Sequence, residues 1–354
     1  MQVLAGDIGG TKTLVAICEV SPPDGRTGAV SVEVLVSKRY DSRKFPGIAA
    51  LCRAFAAEVA RPIPPSAGFG VAGPVANDRS QTTNLPWIVD AKDLAQALGI
   101  ESVGLANDFQ ALAVGIPAVK AADLVSVNEG VRDPKGPWAV IGAGTGLGEA
   151  IATLGASGER GVVATEGGHA SFAPRTELEI GVLRFLMQRY DHVSWERVLS
   201  GEGLVNLAEA LSHLTGVKPT EALGEKIAHD RGNAPAAITA AAAAGDPLCR
   251  QVVELFCKLY GAEAGNLALK TLATGGVYVA GGIAPKILDF MTDGRFSAAF
   301  VDKGRMRPML ERMPVQIVLD TRAGLLGAAT LAAREAQLAP QTRSNPSTRA
   351  SHDT

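Results

Sequence analysis

Near its start the chain runs Val3-Leu4-Ala5-Gly6-Asp7-Ile8-Gly9-Gly10-Thr11-Lys12-Thr13-Leu14-Val15-Ala16-Ile17-Cys18. Val3 to Ala5 reads as a buried strand and Thr13 to Cys18 as a second. The glycine turn between them leads back into a strand, so the pair folds as a hairpin. A glycine-rich tip of this kind presents the backbone N–H groups of Gly9, Gly10 and Thr11, and gathered amides form a nest for phosphate oxygens. Asp7, at the end of the first strand, is placed to hold a hydrated Mg²⁺ beside such phosphates. P-loop and Rossmann sites differ, because their glycine turns open onto a helix N-terminus. An ordinary hairpin that uses glycine for positive φ fits the same residues equally well, and only the rest of the chain separates the two readings.

A length of 354 residues is enough for about two domains with full cores. The 47% hydrophobic and 20% charged content fits a soluble globular enzyme. A formal net charge of −2 gives no broad attraction to nucleic acid or to an anionic membrane. No apolar run reaches the roughly 20 residues of a membrane span. Met1 is followed directly by a strand, without the basic and apolar regions of a signal peptide. Cys18, Cys52, Cys249 and Cys257 form no CxxC pair and stand near no histidine at ligand spacing. They read as core thiols of a reducing cytoplasm.

Strands at Val30–Lys38, Ala67–Ala72 and Ser102–Ala106 alternate with helices at Phe45–Glu58, Asp93–Leu98 and Phe109–Val114, with Gly99 at a helix C′ position. A second round opens with strand Trp138–Ile141, a glycine turn and strand Glu149–Ala152. Helical periodicity follows over 176–190, 202–214, 220–230 and 246–271. Strands Val277–Ala280 and Val315–Val318 and a last helix, Arg322–Gln337, complete an α/β pattern of mixed sheets faced by helices. Ser21–Gly28 reads as an exposed loop, and the Ser/Thr/Arg/Pro-rich tail as disordered.

The opening hairpin has an echo. Leu4-Ala5-Gly6-Asp7-Ile8-Gly9-Gly10-Thr11 is matched by Val140-Ile141-Gly142-Ala143-Gly144-Thr145-Gly146-Leu147-Gly148, and a third glycine turn, Ala280-Gly281-Gly282-Ile283-Ala284-Pro285, follows a buried strand. Two such hairpins, one per lobe, can clamp a polyphosphate. The small residues of the third turn let a base or ribose approach the backbone. Gly68-Phe69-Gly70-Val71-Ala72-Gly73 fits GxGxxG as a string, but Pro74 and polar residues follow where a dinucleotide site needs a helix. Asn107-Asp108 stands at a strand-to-helix junction, where spacing alone favours a cap. His169 alone reads as a hydrogen-bonded loop histidine, and Glu196 as a first-turn helix charge behind Ser194 as N-cap. Glu166 and His169 lack a third metal ligand at suitable spacing.

With these landmarks, together with Ala106-Asn107-Asp108-Phe109, Glu166-Gly167-Gly168-His169 and Glu196-Arg197-Val198-Leu199-Ser200-Gly201, the chain resembles bacterial glucokinases of the hexokinase–actin–Hsp70 ATPase superfamily, from Gly6 to about Ala333. The resemblance implies a two-lobed actin-like (ribonuclease H-like) fold, with mixed sheets, helices on both faces and a cleft between the lobes. It implies a small domain of 1–117 plus about 319–338, a large domain of 118–318, and a disordered tail at 339–354. The implied reaction is ATP-dependent phosphorylation of the glucose 6-hydroxyl, the first step of glycolysis, in a cytoplasmic homodimer. Asp108 matches the catalytic base, and phosphoryl transfer needs a carboxylate to orient the attacking hydroxyl. The dipole of the following helix is expected to keep Asp108 ionised. Asn107, Glu166, His169 and Glu196, with Asp108, match the sugar ligands. Gly6, Asp7, Ile8, Gly9, Gly10 and Thr11 of the first turn, and Gly142, Gly144, Thr145 and Gly146 of the second, match the ATP phosphate site. Gly281 and Gly282 match the adenosine side, and Asp7 the water-mediated Mg²⁺ contact.

Relatives of the ROK group carry a cysteine-rich zinc motif after the sugar histidine, whereas here Ala170-Ser171-Phe172-Ala173-Pro174 follows His169. Lys12 stands where many glucokinases have Asn, and either adds a phosphate contact or points to solvent. Gly324 and Gly327 are expected to let the last helix pack closely on the first lobe. A non-catalytic sugar or nucleotide sensor on the same fold, a kinase for a related hexose, and a polyphosphate-dependent kinase remain as alternatives.

Overall fold

In a computed structural model that describes residues 1–22, 30–82, 85–155 and 160–338, the opening apolar runs pair as an antiparallel ladder. Strand β1 (Gln2–Ile8) pairs with β2 (Lys12–Val20) from Gln2↔Glu19 to Ile8↔Thr13, and β2 pairs with β3 (Val32–Asp41). On its other edge β1 runs parallel to β4 (Ser66–Val71). A small meander follows, of β5 (Val75–Ala76), β6 (Arg79–Gln81) and β7 (Ile88–Asp90), before β8 (Ser102–Asn107) joins parallel to β4. The first sheet therefore reads β3-β2-β1-β4-β8.

The second sheet repeats this order. Strand β10 (Trp138–Ala143) pairs antiparallel with β11 (Leu147–Leu154), and β11 with β12 (Arg160–Thr165). On the other edge β10 runs parallel to β13 (Gly276–Ala280) and β13 to β14 (Val315–Val318); β9 (Leu124–Asn128) closes that edge antiparallel to β14. The order is β12-β11-β10-β13-β14-β9. The echo between the two glycine hairpins is thus the visible part of a duplicated sheet. Each hairpin joins the central strand to its antiparallel neighbour, so both turns lie at the carboxyl end of a central strand.

Both central strands are buried on both faces, which is why they read as continuous apolar runs. One face of the first sheet packs Leu4, Ile17 and Phe69 against Leu51, Cys52 and Phe55 of helix Ile48–Glu58. The other packs Val3, Ala5 and Ala16 against Leu325, Ala328 and Ala332 of the last helix, Ala323–Leu338. That helix lies close enough that a Cβ at Gly68 would meet Ala328 O at 2.0 Å, and one at Gly327 would meet Ala111 O at 1.6 Å. Gly68 and Gly327 thus serve backbone packing, and Gly70, whose Cβ would lie 2.9 Å from Ala111 Cβ, does the same, so the first two glycines of the GxGxxG string have packing reasons. Gly324 leaves room of a different kind, since its Cβ position lies 3.7 Å from Asp7 Oδ2. In the second sheet Ile141 and Val279 pack on helices Gly201–Thr215 and Pro247–Thr271. Its other face joins Val140, Ala150 and Tyr278 to Ala113 and Ile116 beside helix Asp108–Gly115, and to Ala323 and Leu326 of the last helix. This cluster is the junction between the sheets.

The expected strands and helices are present, with ends shifted by a few residues. Strands β9 and β12, the β5–β7 meander and helices Ala234–Ala243, Arg295–Val301 and Arg307–Glu311 were not anticipated. The meander had a signal: Asn77 and Asp78 both take positive φ, 51° and 55°, as a tight hairpin turn requires. Helix Ala234–Ala243 is nearly all alanine and shows no polar face to give a period. Gly99 takes φ 69° at its helix end as expected. All four cysteines are free and buried, and burial pushes the thiols of Cys18, Cys52 and Cys249 up to about 12. Among the described residues no helix is long and apolar enough to cross a membrane. The expected loop at 21–28 falls largely, and the tail wholly, outside the described residues.

Candidate active site

The parallel strands β1, β4 and β8 bring their carboxyl ends to one edge of the first sheet, where ligands of open α/β sheets bind. Asp7 lies near the end of β1, and Asn107 and Asp108 leave the end of β8. Asn107 caps helix Asp108–Gly115: its Oδ1 accepts from Phe109 N (2.9 Å) and Gln110 N (3.4 Å), and its Nδ2 donates to Gly73 O (3.2 Å). The cap and the carboxylate are thus two residues with separate tasks. Asp108 is the first helical residue, and its Oδ1 also accepts from Phe109 N (2.9 Å).

The helix end is one of several influences on Asp108. Burial raises its carboxyl above the ordinary value and Glu166 adds to the rise, while hydrogen bonds from Phe109 and Asn107 offset only part of it. Asp7 is raised to about 6, by burial first and then by Asp108, with Arg39 opposing. A carboxylate whose charge is disfavoured by a second one nearby makes, with it, a pair of hard oxygen donors that a divalent cation would relieve. These residues fit Mg²⁺.

The two glycine turns differ in their surroundings. In the first, Gly9 N donates to Lys12 O (3.1 Å), so this amide is taken up inside the turn and not presented at the tip as expected, and Ser42 N closes on Thr11 O (3.0 Å). Gly9 is not left-handed; a Cβ there would lie 2.9 Å from Lys12 O, so close approach excludes a side chain. Gly6 sits inside β1 with the Phe69 ring in its Cβ space, at 2.5 Å. Gly142 and Gly148 are cross-strand partners, and the Phe109 ring fills the space of both, at 2.7 and 2.1 Å. Gly6 and Gly142 therefore have packing reasons for being glycine. Phe109 locks the residue after Asp108 onto the second hairpin.

The second turn is braced. Ala143 N donates to the buried Tyr260 hydroxyl (2.9 Å), which itself can donate to Ala280 O (3.2 Å). Gly201 N donates to Gly144 O (2.8 Å), and Ile283 N to Ala143 O (3.2 Å). Gly281, at φ 87°, lets the third turn press on this one, since a Cβ there would meet Ala143 O at 2.5 Å. Leu147 N donates to Glu196 Oε2 (2.9 Å), and the same oxygen would lie 2.4 Å from a Cβ on Gly146.

Glu196 lies in a single 3-10 turn, Trp195–Arg197, and Ser194 makes no capping bond. The cap belongs to Ser200, whose Oγ accepts from Gly203 N (2.9 Å) and donates to Glu196 O (2.7 Å). A short ladder joins this segment to the Glu166-Gly-Gly-His169 turn. Ser171 bridges Ser194, Trp195 N donates to Ala170 O (2.9 Å), and Phe172 N donates to Val193 O (2.9 Å). Glu166 Oε2 and His169 Nε2 lie 3.8 Å apart, with side chains 82% and 60% exposed. The structure thus gathers Glu166, His169 and Glu196 on one stitched unit beside the second turn, and the field of Glu166 reaches Asp108. Tyr260, Phe109, Arg39 and Glu149 were not singled out from the sequence. Only Glu149 carried a usable signal, as a charge inside an apolar strand. Among the described residues no group of three or more His, Cys, Asp or Glu gathers to hold a metal ion.

Residues 4–335 match the family model described as Glucokinase. The chain belongs to the glucokinase family. It is 40% identical to a glucokinase of Nostoc punctiforme over 94% of this chain and 99% of that one. The crystal structure of glucokinase from an Antarctic psychrotroph superposes with a TM-score of 0.78 at 27% identity, covering 94% of this chain and 99% of that one. A ROK family glucokinase from Streptomyces griseus, solved with glucose and AMPPNP, shares the fold at a TM-score of 0.62 and 24% identity, over 94% of this chain and 100% of that one. The two-lobed actin-like architecture that the resemblance implied is therefore borne out.

Proposed function

We propose that this protein is a glucokinase that transfers the γ-phosphoryl group of ATP to the 6-hydroxyl of glucose, with Asp108 as general base. The observation that carries this assignment of the base is the position of Asp108: at the end of β8, beside Asp7, in the field of Glu166 and locked by Phe109 onto the second hairpin. Its raised carboxyl makes it a stronger base than an ordinary aspartate once ionised. Asn107, Glu166, His169 and Glu196 hold the sugar, because amide, carboxylate and imidazole groups meet hydroxyls that both donate and accept. The Gly9–Thr11 and Gly144–Gly146 turns hold the phosphates, and the Gly281–Pro285 turn lies on the adenosine side. Asp7, with Asp108 nearby, would hold Mg²⁺ through water, and the ion supplies charge neutralisation on the phosphates. Sugar binding draws the exposed Glu166 and His169 inward and excludes water from the transfer. A cytoplasmic homodimer of a small domain, 1–117 with about 319–338, and a large one, 118–318, completes the reading and rests on the family likeness.

The test is glucose 6-phosphate formation by the wild type and by Asp108→Asn. Removing a general base costs about 10²–10⁴-fold in kcat, with glucose binding by calorimetry largely retained. A variant with near-normal kcat would sink the assignment of the base. A wild type that binds glucose and ATP without transfer would replace the kinase by a sensor.

A further inference from the structure

Glu149 is a carboxyl to which the mechanism above gives no task. It lies within β11, only 2% exposed, and its Oε1 has no hydrogen-bond partner. Its other oxygen fills the space above Gly167, where a Cβ would lie 1.9 Å from Oε2. The next residue, Gly168, is closed on the same strand, with Leu147 O at 2.1 Å from its Cβ position. Thr165, the cross-strand partner of Glu149, donates its Oγ1 to Glu149 O (3.4 Å) and accepts from Gly167 N (3.2 Å). Side chain and backbone of Glu149 thus both support the turn that carries Glu166 and His169.

We propose that Glu149 is a positioning residue for the sugar loop: its neutral carboxyl is the seat of the Gly167–Gly168 turn, and its ionised form does not hold Glu166 and His169 in place. The inference rests on the sugar-binding reading of those two residues. An ionised carboxylate with one oxygen unpartnered in the interior is costly and draws in water or shifts its surroundings. The long helix behind Glu149 presents the fully buried Glu263 and, beyond it, Lys270. Both lysines of this region are engaged on the Glu263 side. Lys270 Nζ lies 3.6 Å from Glu263 Oε1, and Lys303 Nζ donates to Asn266 Oδ1 (2.7 Å), whose Nδ2 donates to Glu263 Oε2 (2.7 Å). Tyr260 is spent on the second turn and Glu196 on Leu147 N. On the loop itself the titratable groups are the exposed Glu166 and His169. Burial first, and then Glu263, push Glu149 up to about 7 against the pull of Lys270.

The test is calorimetric glucose binding to the full-length protein between pH 6 and 9, for the wild type, Glu149→Gln and Gly167→Ala. Wild-type affinity falls as pH rises through neutrality, by at most about tenfold per pH unit. Glu149→Gln, neutral and of the same shape, removes this fall while leaving Glu166 and His169 in the chain. Gly167→Ala sets a methyl against Glu149 Oε2 and weakens glucose binding at every pH, with ATP binding unchanged. An unchanged pH slope in Glu149→Gln, or normal glucose affinity in Gly167→Ala, would overturn the proposal. A wild type that binds no glucose at any pH would overturn the sugar-site reading beneath it.

Discussion

The two glycine hairpins are alike in sequence and in their place in the sheet, yet they are built differently. Each turn closes one bond of its own, Gly9 N to Lys12 O and Gly144 N to Gly146 O, but among the described residues the first is held from outside by Ser42 alone and leaves Thr11 and Lys12 exposed. The second is held from three directions: Tyr260 from the long helix, Ile283 from the third turn, and Glu196 from the sugar-loop unit. In the proposed reading, one turn is an adaptable phosphate contact, and the other is a joint through which sugar and nucleotide sites touch. On that reading Glu196 is the joint, since one of its oxygens holds Leu147 N while the residue is proposed to bind glucose.

This contrast is broken most directly at Glu196. Glu196→Ala removes the proposed sugar contact and leaves Leu147 N unpaired. Losing a charge-assisted bond in a partly buried site costs about 1.5–3 kcal/mol, or roughly 10- to 150-fold in kcat/KM. The joint requires KM to rise for glucose and for ATP together; a rise for glucose alone would make the second turn no different from the first. Tyr260→Phe tests the brace from beneath. It leaves the buried Ala143 N–H without its acceptor, at about 1–3 kcal/mol. The expected readouts are a lower melting temperature and a higher KM for ATP, with KM for glucose unchanged. A variant with wild-type values for both would mean that the turn needs no brace.

What the sequence made legible follows from what local patterns encode. The hairpins were readable because buried central strands are apolar throughout and their turns need small residues. The duplication was readable only as an echo, because pairing of β4, β8, β13 and β14 is set by contacts far apart in the chain. Asn107 was readable as a cap. The upward push on the Asp108 carboxyl was not, because burial and Glu166, neither of them local, produce it. Gly6 and Gly142 were read as phosphate contacts from their motifs, but the aromatic rings that fill their Cβ spaces, Phe69 and Phe109, come from other strands and helices. The ladder between Ser171 and Ser194 was invisible because it joins two irregular segments.

The smallest expected effect belongs to the open turn. Lys12 lines a hollow of about 320 Å³ with Thr11, Arg39, Tyr40, Asp41 and Arg43, directly beside the first turn. Arg43 is taken up by Asp41, through its Nε at 3.0 Å from Oδ1. Arg39 acts on Asp7 through its field. Lys12 is therefore the exposed cation nearest in sequence to the amides of the tip, and a lysine in solvent contributes about 0–1 kcal/mol to a charged contact. Lys12→Ala should raise KM for ATP by at most about fivefold, leave kcat and KM for glucose alone, and weaken the salt dependence of ATP binding, because exposed charges are screened. Full retention of that salt dependence would show that Lys12 points to solvent. The first turn would then bind phosphate through its backbone alone, and the difference between the turns would lie entirely in how the second one is braced.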